Sequence, residues 1–219
     1  MTADPEGKPH ANAPIPYARQ WIDDADVAAV EAVLRSEFLT QGPAIERFEQ
    51  ALCAATGAAH AVVVASGTAA LHLACLALDF GPGCTGVTSP ITFAASANCF
   101  LYAGGSAVFA DVEPGTGSLS PAALDARLGE LAAAGAPRGV VVAVSLTGRV
   151  AALPALREVC DRHGWLLVED AAHSLGGTYA DGSGAMYRSG SCVHTHAAIL
   201  SFHPVKHVCA GEGGAILTS

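Results

Sequence analysis

The sequence is poor in charged residues and in aromatic rings. Charged residues make up 14% of the 219 residues and aromatic residues 6%, whereas hydrophobic residues make up 51%. So little charge combined with so much apolar surface excludes an intrinsically disordered protein, because such a chain can bury a core. The length is enough for one sizeable domain or two small ones.

Positive charge is scarce and is not clustered. The net charge is −9 at pH 7, and the chain contains two lysines, Lys8 and Lys206. Because nucleic-acid binding relies on a basic patch, the sequence predicts no nucleic-acid partner. The acidic balance gives no long-range attraction to an anionic ligand either, so any such ligand has to be bound by local donors.

Membrane and secretion signals are also absent from the sequence. No apolar stretch approaches the roughly 20 residues of a membrane span, and residues 1–16 contain no apolar segment typical of a secretory signal. We therefore predict no membrane partner. The seven cysteines are odd in number, scattered, and form no C-x-x-C pattern. Reduced thiols in the cytoplasm fit this usage better than a disulfide framework does.

Apolar runs of strand length alternate with helical patterns over most of the chain. Strands are predicted at residues 60–65, 86–89, 107–111, 139–145, 165–169, 197–202 and 215–218. Helices are predicted at residues 25–35, 44–55, 67–78, 94–102, 121–131 and 154–163. Alternating βα units with short loops predict an α/β fold with a doubly wound, mostly parallel sheet.

Two segments show no such periodicity. Residues 1–16 are rich in Pro, Ala and polar residues and are predicted to be a flexible N-terminal tail, which leaves 17–219 as the folded domain. Residues 179–191 are rich in Gly and Ser and are predicted to be a surface loop.

Three polar segments follow predicted strands, where α/β folds bind their ligands. Lys206 lies after one strand, and a lysine that loses solvent there becomes an amine nucleophile able to form a Schiff base. Glu169-Asp170 supplies an acid in apolar surroundings, as a protonated pyridinium nitrogen requires. Ser66-Gly67-Thr68 opens a helix, where free N–H groups bind anions. An amine, an acid and a phosphate cradle together describe a pocket for pyridoxal phosphate (PLP).

Each of these segments also has a simpler interpretation. Most lysines are solvated at the surface. An aspartate after a strand can cap a helix or form an ion pair, and Ser66-Gly67-Thr68 can be an ordinary N-cap.

A metal site is a further alternative, because histidines and a cysteine lie close together near the end of the sequence. They are Cys192, His194, His196, His203 and His207. Such residues can bind zinc. However, no H-E-x-x-H pattern accompanies them and Pro204 interrupts any helix there, so we predict no metal.

Six motifs occur in an order that is typical of one enzyme family. They are Arg19-Gln20-Trp21-Ile22-Asp23, Phe38-Leu39-Thr40-Gln41-Gly42-Pro43, Ser66-Gly67-Thr68-Ala69-Ala70-Leu71-His72, Thr88-Ser89-Pro90-Ile91-Thr92-Phe93, Glu169-Asp170-Ala171-Ala172-His173, and Ser201 to Lys206 with Gly211 to Gly214. Through them the chain, from about residue 17 to its end, resembles the DegT/DnrJ/EryC1/StrS family of PLP-dependent sugar aminotransferases. Within that family it is most similar to the enzymes that aminate the 4-keto group of a UDP-linked 6-deoxy-hexose in pseudaminic acid biosynthesis.

The resemblance implies a fold-type-I PLP-dependent transferase. The large domain of that fold has a seven-stranded, mostly parallel sheet with its last strand antiparallel and helices on both faces. Glutamate would donate the amino group, and a UDP-linked 4-keto-6-deoxy sugar would accept it, in the synthesis of bacterial surface sugars. The implied assembly is a homodimer.

The resemblance also implies roles for individual residues. Lys206 would bind the cofactor covalently and Asp170 would pair with its ring nitrogen. The phosphate would be bound by three residues, Gly67, Thr68 and Ser201. The ring itself would be contacted by Phe93, which would stack on it, and by His173, which would lie near its phenolic oxygen. The simpler interpretation of Phe93 is a core aromatic residue, and that of His173 is a structural histidine. Weaker candidates for substrate contact are Thr92 and His203.

The chain departs from the family pattern in two ways. Family members continue into a small C-terminal domain that is missing from this sequence. We therefore expect a fragment, a split gene product that associates with a C-terminal half, or a non-catalytic relative that binds only PLP or a partner chain. In addition, the family pattern V-H-x-x-G is replaced by Val144-Ser145-Leu146-Thr147-Gly148. Ser145 stands where the family has a histidine, which puts the substrate or cofactor contacts of this region in doubt.

Overall fold

The computed structural model describes residues 18–219, so the tail predicted at residues 1–16 lies outside the described residues. Six α-helices are formed there: α1 (Asp24–Leu34), α2 (Pro43–Thr56), α3 (Gly67–Ala77), α4 (Ala95–Tyr102), α5 (Pro121–Ala133) and α6 (Leu153–His163). The strands are β1 (His60–Val64), β2 (Thr85–Thr88), β3 (Ser106–Phe109), β4 (Val140–Val144), β5 (Leu166–Asp170), β6 (Thr178–Ala180), β7 (Met186–Arg188), β8 (Ala197–Ser201) and β9 (Gly214–Thr218).

Seven of these strands form one sheet in the order β1-β9-β8-β5-β4-β2-β3. Strand β9 is antiparallel to both of its neighbours, and the other pairs are parallel. The predicted mostly parallel sheet with an antiparallel last strand is therefore confirmed. The predicted bounds of these seven strands and of the helices agree with the structure to within two residues.

The core lies on both faces of the sheet, because successive side chains of a strand point to opposite sides. In β4, Val140 and Val142 pack under α3 and α4, whereas Val141 and Ala143 pack under α5 and α6. All five residues of β4 are buried, as is typical of a parallel strand covered on both faces. The predicted layers of helices on both faces are thus confirmed.

One predicted loop contains regular structure. Residues 179–191 were predicted to form a surface loop, but β6 and β7 form an antiparallel hairpin, with Tyr179 opposite Tyr187. The two rings lie 5.7 Å apart between centroids, and such cross-strand aromatic pairs stabilise hairpins. Because each strand has only three residues, no alternating apolar pattern is visible in the sequence, and the Gly and Ser of the turn dominate the composition of this segment.

Helix α1 is capped but has no buried residue. Asp23 and Asp26 form a reciprocal capping box, which stabilises the helix N-terminus by satisfying its free backbone N–H groups. Its apolar side chains and those of the flanking segments form an exposed surface that we call the α1 strip: Trp21, Ile22, Val27, Val30, Leu34, Phe38 and Leu39. None of the helices within residues 18–219 has the length and apolar character needed to cross a membrane.

Candidate active site

A cavity of about 450 Å³ opens at the carboxyl ends of β5 and β8, beside the N-terminus of α3. This volume is within the range of small-molecule sites. The cavity is lined by eight of the nine residues that the sequence proposes for a site: Gly67, Thr68, Phe93, Asp170, His173, Ser201, His203 and Lys206. The ninth, Thr92, is set back from the cavity, and its Oγ1 lies 2.8 Å from Ser96 Oγ.

The N-terminus of α3 presents backbone N–H groups to this cavity. Ser66 is the N-cap, and its Oγ accepts from the N–H of Ala69 at 3.1 Å. The N–H groups of Gly67 and Thr68 belong to the first turn, where a helix offers no internal acceptor. The N-cap interpretation and the anion-site interpretation therefore describe the same turn.

Close backbone packing holds this turn against the sheet. A Cβ placed on Gly67 would lie 2.8 Å from the Cβ of Ser201, and one on Gly214 would lie 2.4 Å from the carbonyl carbon and oxygen of Ser66. Both glycines are thus required for the turn to sit at the ends of β8 and β9. This contact brings the Ser201 hydroxyl next to the free N–H groups of α3.

Asp170 lies at the floor of the cavity and is 5% exposed. Its Oδ2 accepts from Ser96 Oγ at 2.7 Å and its Oδ1 accepts from the N–H of Ala172 at 3.2 Å. Burial raises the pKa of Asp170, and these two donors oppose that rise. A carboxylate can accept about four hydrogen bonds, so Asp170 has acceptor capacity left for a cationic donor in the cavity.

Lys206 and His173 line the cavity and are in direct contact with each other. Lys206 Nζ lies 2.6 Å from His173 Nε2. Burial lowers the pKa of Lys206, and it lowers the pKa of His173 as well, with the neighbouring Lys206 charge as a second cause. Lys206 is therefore a half-buried amine shifted toward its neutral form, and the surface-lysine alternative does not describe it.

Phe93 and His203 lie at the mouth of the cavity. Phe93 is 69% exposed, so the core-phenylalanine alternative is wrong and the ring is free to cover a ligand. His203 is also exposed. The structure therefore gives the two residues access to a ligand that enters the cavity.

Three residues near the cavity were missed at the level of sequence. Ser96 donates to Asp170, and Glu212 lines the cavity from the glycine-rich turn before β9. The backbone N–H of Thr147 donates to His173 Nδ1 at 3.3 Å. Ser96 carried a weak signal, because it is a polar residue four positions after Thr92 on the otherwise apolar start of α4.

Two of the five residues considered for zinc form hydrogen bonds elsewhere in the fold. His194 Nδ1 lies 3.0 Å from the hydroxyl of Tyr179, and His196 Nδ1 accepts from the N–H of Leu167 at 3.0 Å. Among residues 18–219, no group of three or more histidines, cysteines or acidic residues is arranged to hold a metal ion.

The profile of the DegT/DnrJ/EryC1/StrS aminotransferase family matches residues 20–219. The chain belongs to this family. The family resemblance noted from the six motifs is thus confirmed. Members of the family use PLP.

Solved structures with the same fold include several aminotransferases. The Streptococcus pneumoniae protein Spr1654 in its PLP form has 26% identity and a TM-score of 0.82 over 94% of this chain and 53% of that chain. Helicobacter pylori PseC, an aminotransferase involved in the biosynthesis of pseudoaminic acid, has 31% identity and a TM-score of 0.80 over 93% of this chain and 52% of that chain. DesV of S. venezuelae, solved with a ketimine intermediate, has 34% identity and a TM-score of 0.77 over 88% of this chain and 48% of that chain. The chain spans about half the length of these structures.

The residues of the cavity fit PLP. The phosphate requires local donors, and the first turn of α3 offers its free N–H groups. At Gly67 the close approach of Ser201 leaves no room for a Cβ. The ring nitrogen requires an acid, and Asp170 is a buried carboxylate with acceptor capacity left. The aldehyde requires an amine, and Lys206 is the lysine in the cavity.

Proposed function

We propose that this chain is the cofactor-binding part of a PLP-dependent sugar aminotransferase. One observation carries the proposal: a lysine amine, a buried carboxylate and the N–H groups of a helix N-terminus line the same cavity. Those are the three groups needed for the aldehyde, the ring nitrogen and the phosphate of PLP. When bound, PLP supplies an electron sink for the carbanion formed at Cα of the amino acid.

Each residue then has a stated task. Lys206 holds the cofactor and moves a proton at the reacting carbon, a role that favours an amine with a lowered pKa. Asp170 keeps the ring nitrogen protonated, and that cation would in turn lower the pKa of Asp170. His173 donates to the phenolic oxygen, and Phe93 covers the ring. The phosphate is bound by Gly67, Thr68 and Ser201.

For the substrates, we propose glutamate as the amino donor and a UDP-linked 4-keto-6-deoxy sugar as the acceptor, in bacterial surface-sugar synthesis. The motif resemblance and the likeness to PseC support this choice. DesI, another similar structure at 35% identity, was solved with its TDP-sugar product. The test of substrate should therefore compare the UDP-linked and TDP-linked 4-keto sugars.

A second candidate function is cofactor or partner binding without catalysis. One observation favours it: within the described residues, α1 buries none of its side chains. An exposed apolar surface of this kind marks a protein interface. We propose that the α1 strip contacts either a chain equivalent to the remaining half of the relatives or a second copy in a homodimer. The seven cysteines are free, which is consistent with our proposal of a cytoplasmic protein.

Two measurements on the purified 219-residue chain test these proposals. Borohydride reduction in the presence of PLP, followed by peptide mapping, should place the pyridoxyl group on Lys206, with Lys8 as the internal control. Turnover of each 4-keto sugar nucleotide with glutamate should then be measured with and without the remaining half of a relative. Labelling without turnover would favour the second function, and labelling of Lys8 alone would contradict both.

A further inference from the structure

The turn after β4 contains a residue in an unusual backbone conformation. Thr147 has φ 57° and ψ 20°, in the left-handed region. A β-branched residue in this region is a genuine outlier, and such residues persist only where the surroundings impose them, most often at functional sites. The following Gly148, with φ 89°, also needs a positive φ. The conformation of Thr147 therefore calls for a physical reason.

The reason lies in the direction of the Thr147 N–H. In this conformation it donates to Nδ1 of His173 at 3.3 Å, while the other ring nitrogen, Nε2, lies 2.6 Å from Lys206 Nζ. A ring nitrogen that accepts a hydrogen bond carries no proton, so a neutral His173 must carry its proton on Nε2. That N–H points at Lys206, which can accept it only as a neutral amine.

The opposite arrangement is disfavoured. If a charged Lys206 donated to Nε2, the His173 proton would sit on Nδ1 and face the Thr147 N–H, so that two donors would meet without an acceptor. A doubly protonated His173 has the same conflict and adds a positive charge beside Lys206. Burial, which lowers the pKa of both side chains, acts in the same direction as this geometry.

We propose that Thr147 is a positioning residue whose strained backbone fixes His173 in the Nε2–H tautomer and thereby holds Lys206 as a neutral, nucleophilic amine. The inference deepens the proposed function, since it concerns the same lysine. It assigns no contact with substrate to Thr147, which acts through its backbone N–H alone. The state it describes is that of the chain before the cofactor binds.

Other titratable groups near Lys206 also affect the charge states of Lys206 and His173. Asp170 raises the pKa of Lys206 and so opposes the neutral form, whereas His207, when charged, lowers the pKa of His173. Glu212 and His203 line the same cavity from the turns around Lys206. A hydrogen bond donated by His173 therefore adds to burial in favouring the neutral amine, against the charge of Asp170.

The test uses the full chain carrying Lys8→Arg, so that Lys206 is the sole lysine, with any cofactor removed by dialysis against hydroxylamine. The ¹⁵N spectrum of the imidazole rings, with His173 assigned by its loss in His173→Gln, reports which nitrogen carries the proton. In parallel, the rate at which an amine-reactive reagent labels Lys206 is followed against pH by mass spectrometry. We expect a protonated Nε2, an unprotonated Nδ1, and a labelling midpoint below the roughly 10.4 of an exposed lysine, with tenfold more neutral amine at pH 8 for each unit of lowering.

Two variants of Thr147 separate positioning from general packing. Thr147→Gly keeps the N–H and suits a positive φ, so tautomer and midpoint should be unchanged. Thr147→Pro removes the N–H and forbids a positive φ, so the tautomer should shift toward Nδ1–H and the labelling midpoint should rise. Should Thr147→Pro fail to fold, the spectrum of the Lys8→Arg chain can still overturn the inference, because the inference requires a proton on Nε2 and none on Nδ1.

A His173 that carries its proton on Nδ1, is a mixture of tautomers, or is an imidazolium at pH 8 would overturn the inference. The failure of the proposed function is visible separately, in a chain that shows the expected tautomer but forms no borohydride-stable adduct with PLP at Lys206. Conversely, an adduct at Lys206 with the wrong tautomer would remove this inference and leave the proposed function standing.

Discussion

The substitution Gly214→Ala tests how the proposed phosphate cradle is built. The first residue of β9 passes so close to the turn before α3 that a Cβ at this position would meet backbone atoms of two residues. The distances would be 2.4 Å to the Ser66 carbonyl group and 2.6 Å to the Gly67 nitrogen. Because these are backbone atoms, no side-chain rotation can relieve the contact, and Gly214→Ala must separate α3 from the sheet.

The size of the effect follows from that geometry. Reaching ordinary contact of 3.4 Å requires the Ser66 carbonyl and β9 to move apart by about 1 Å. Overpacking of this kind costs about 1–3 kcal/mol of unfolding free energy, which for a chain of this length lowers Tm by about 2–4 °C per kcal/mol. A displacement of about 1 Å in a binding constellation can also cost about 100-fold in function. PLP affinity should therefore fall together with stability.

The matched control is Gly129→Ala. Gly129 lies inside α5, and a Cβ there would meet nothing within 4 Å. The same chemical change should therefore stabilise the protein, by about 0.5–1 kcal/mol, because alanine is the better helix former. Thermal unfolding followed by circular dichroism and PLP titration followed by absorbance measure both effects. Equal Tm and equal PLP affinity for the two variants would refute this account of the cradle.

Three further predictions concern the site and the surface. If glutamate is the donor and Asp170 has the proposed role, Asp170→Asn should slow proton transfer from glutamate more than it weakens PLP binding, because the ring nitrogen would lose its counter-charge. Stopped-flow absorbance measures the transfer and equilibrium titration the binding; equal effects would contradict the role. Ser96→Ala should lower the unfolding free energy by about 1–3 kcal/mol, because buried Asp170 loses a donor; an unchanged urea midpoint would show that this hydrogen bond does not contribute. Val30→Glu, on the α1 strip, should reduce self-association of the chain in sedimentation velocity, whereas Ala28→Glu, on another face of α1, should not. If both variants sediment alike, the strip is not an association surface.

The sheet was predictable because parallel strands bury both faces and therefore appear as continuous apolar runs. Val140 to Val144 is such a run, and it is fully buried in the structure. The site segments meet because parallel strands end at the same edge of the sheet. Strands β5 and β8 are neighbours in the sheet, so Asp170 and the residues after Ser201 had to emerge at one edge.

Contacts that depend on a single backbone direction could not be predicted. The sequence Leu146-Thr147-Gly148 gives no indication that Thr147 takes a positive φ, because β-branched residues normally avoid positive φ values. Ser96 was missed for a related reason. It lies 74 positions before Asp170, and only the packing of α4 beneath the sheet edge brings their side chains together.

The pair Glu169-Asp170 shows what decides function between two adjacent acids. Successive residues of a strand point to opposite faces, so the two carboxylates lie in different surroundings although both are buried. Glu169 accepts hydrogen bonds from Ser145, Ser189 and the N–H of Gly190, at 2.6–2.9 Å. Burial raises its pKa, these donors oppose the rise, and its oxygens are used within the fold. From residues 18–219, Asp170 accepts two such bonds, and it borders the cavity. Since a buried carboxylate with spare acceptor capacity is costly unless a donor completes it, the acid that the fold leaves incomplete is the one available to a ligand.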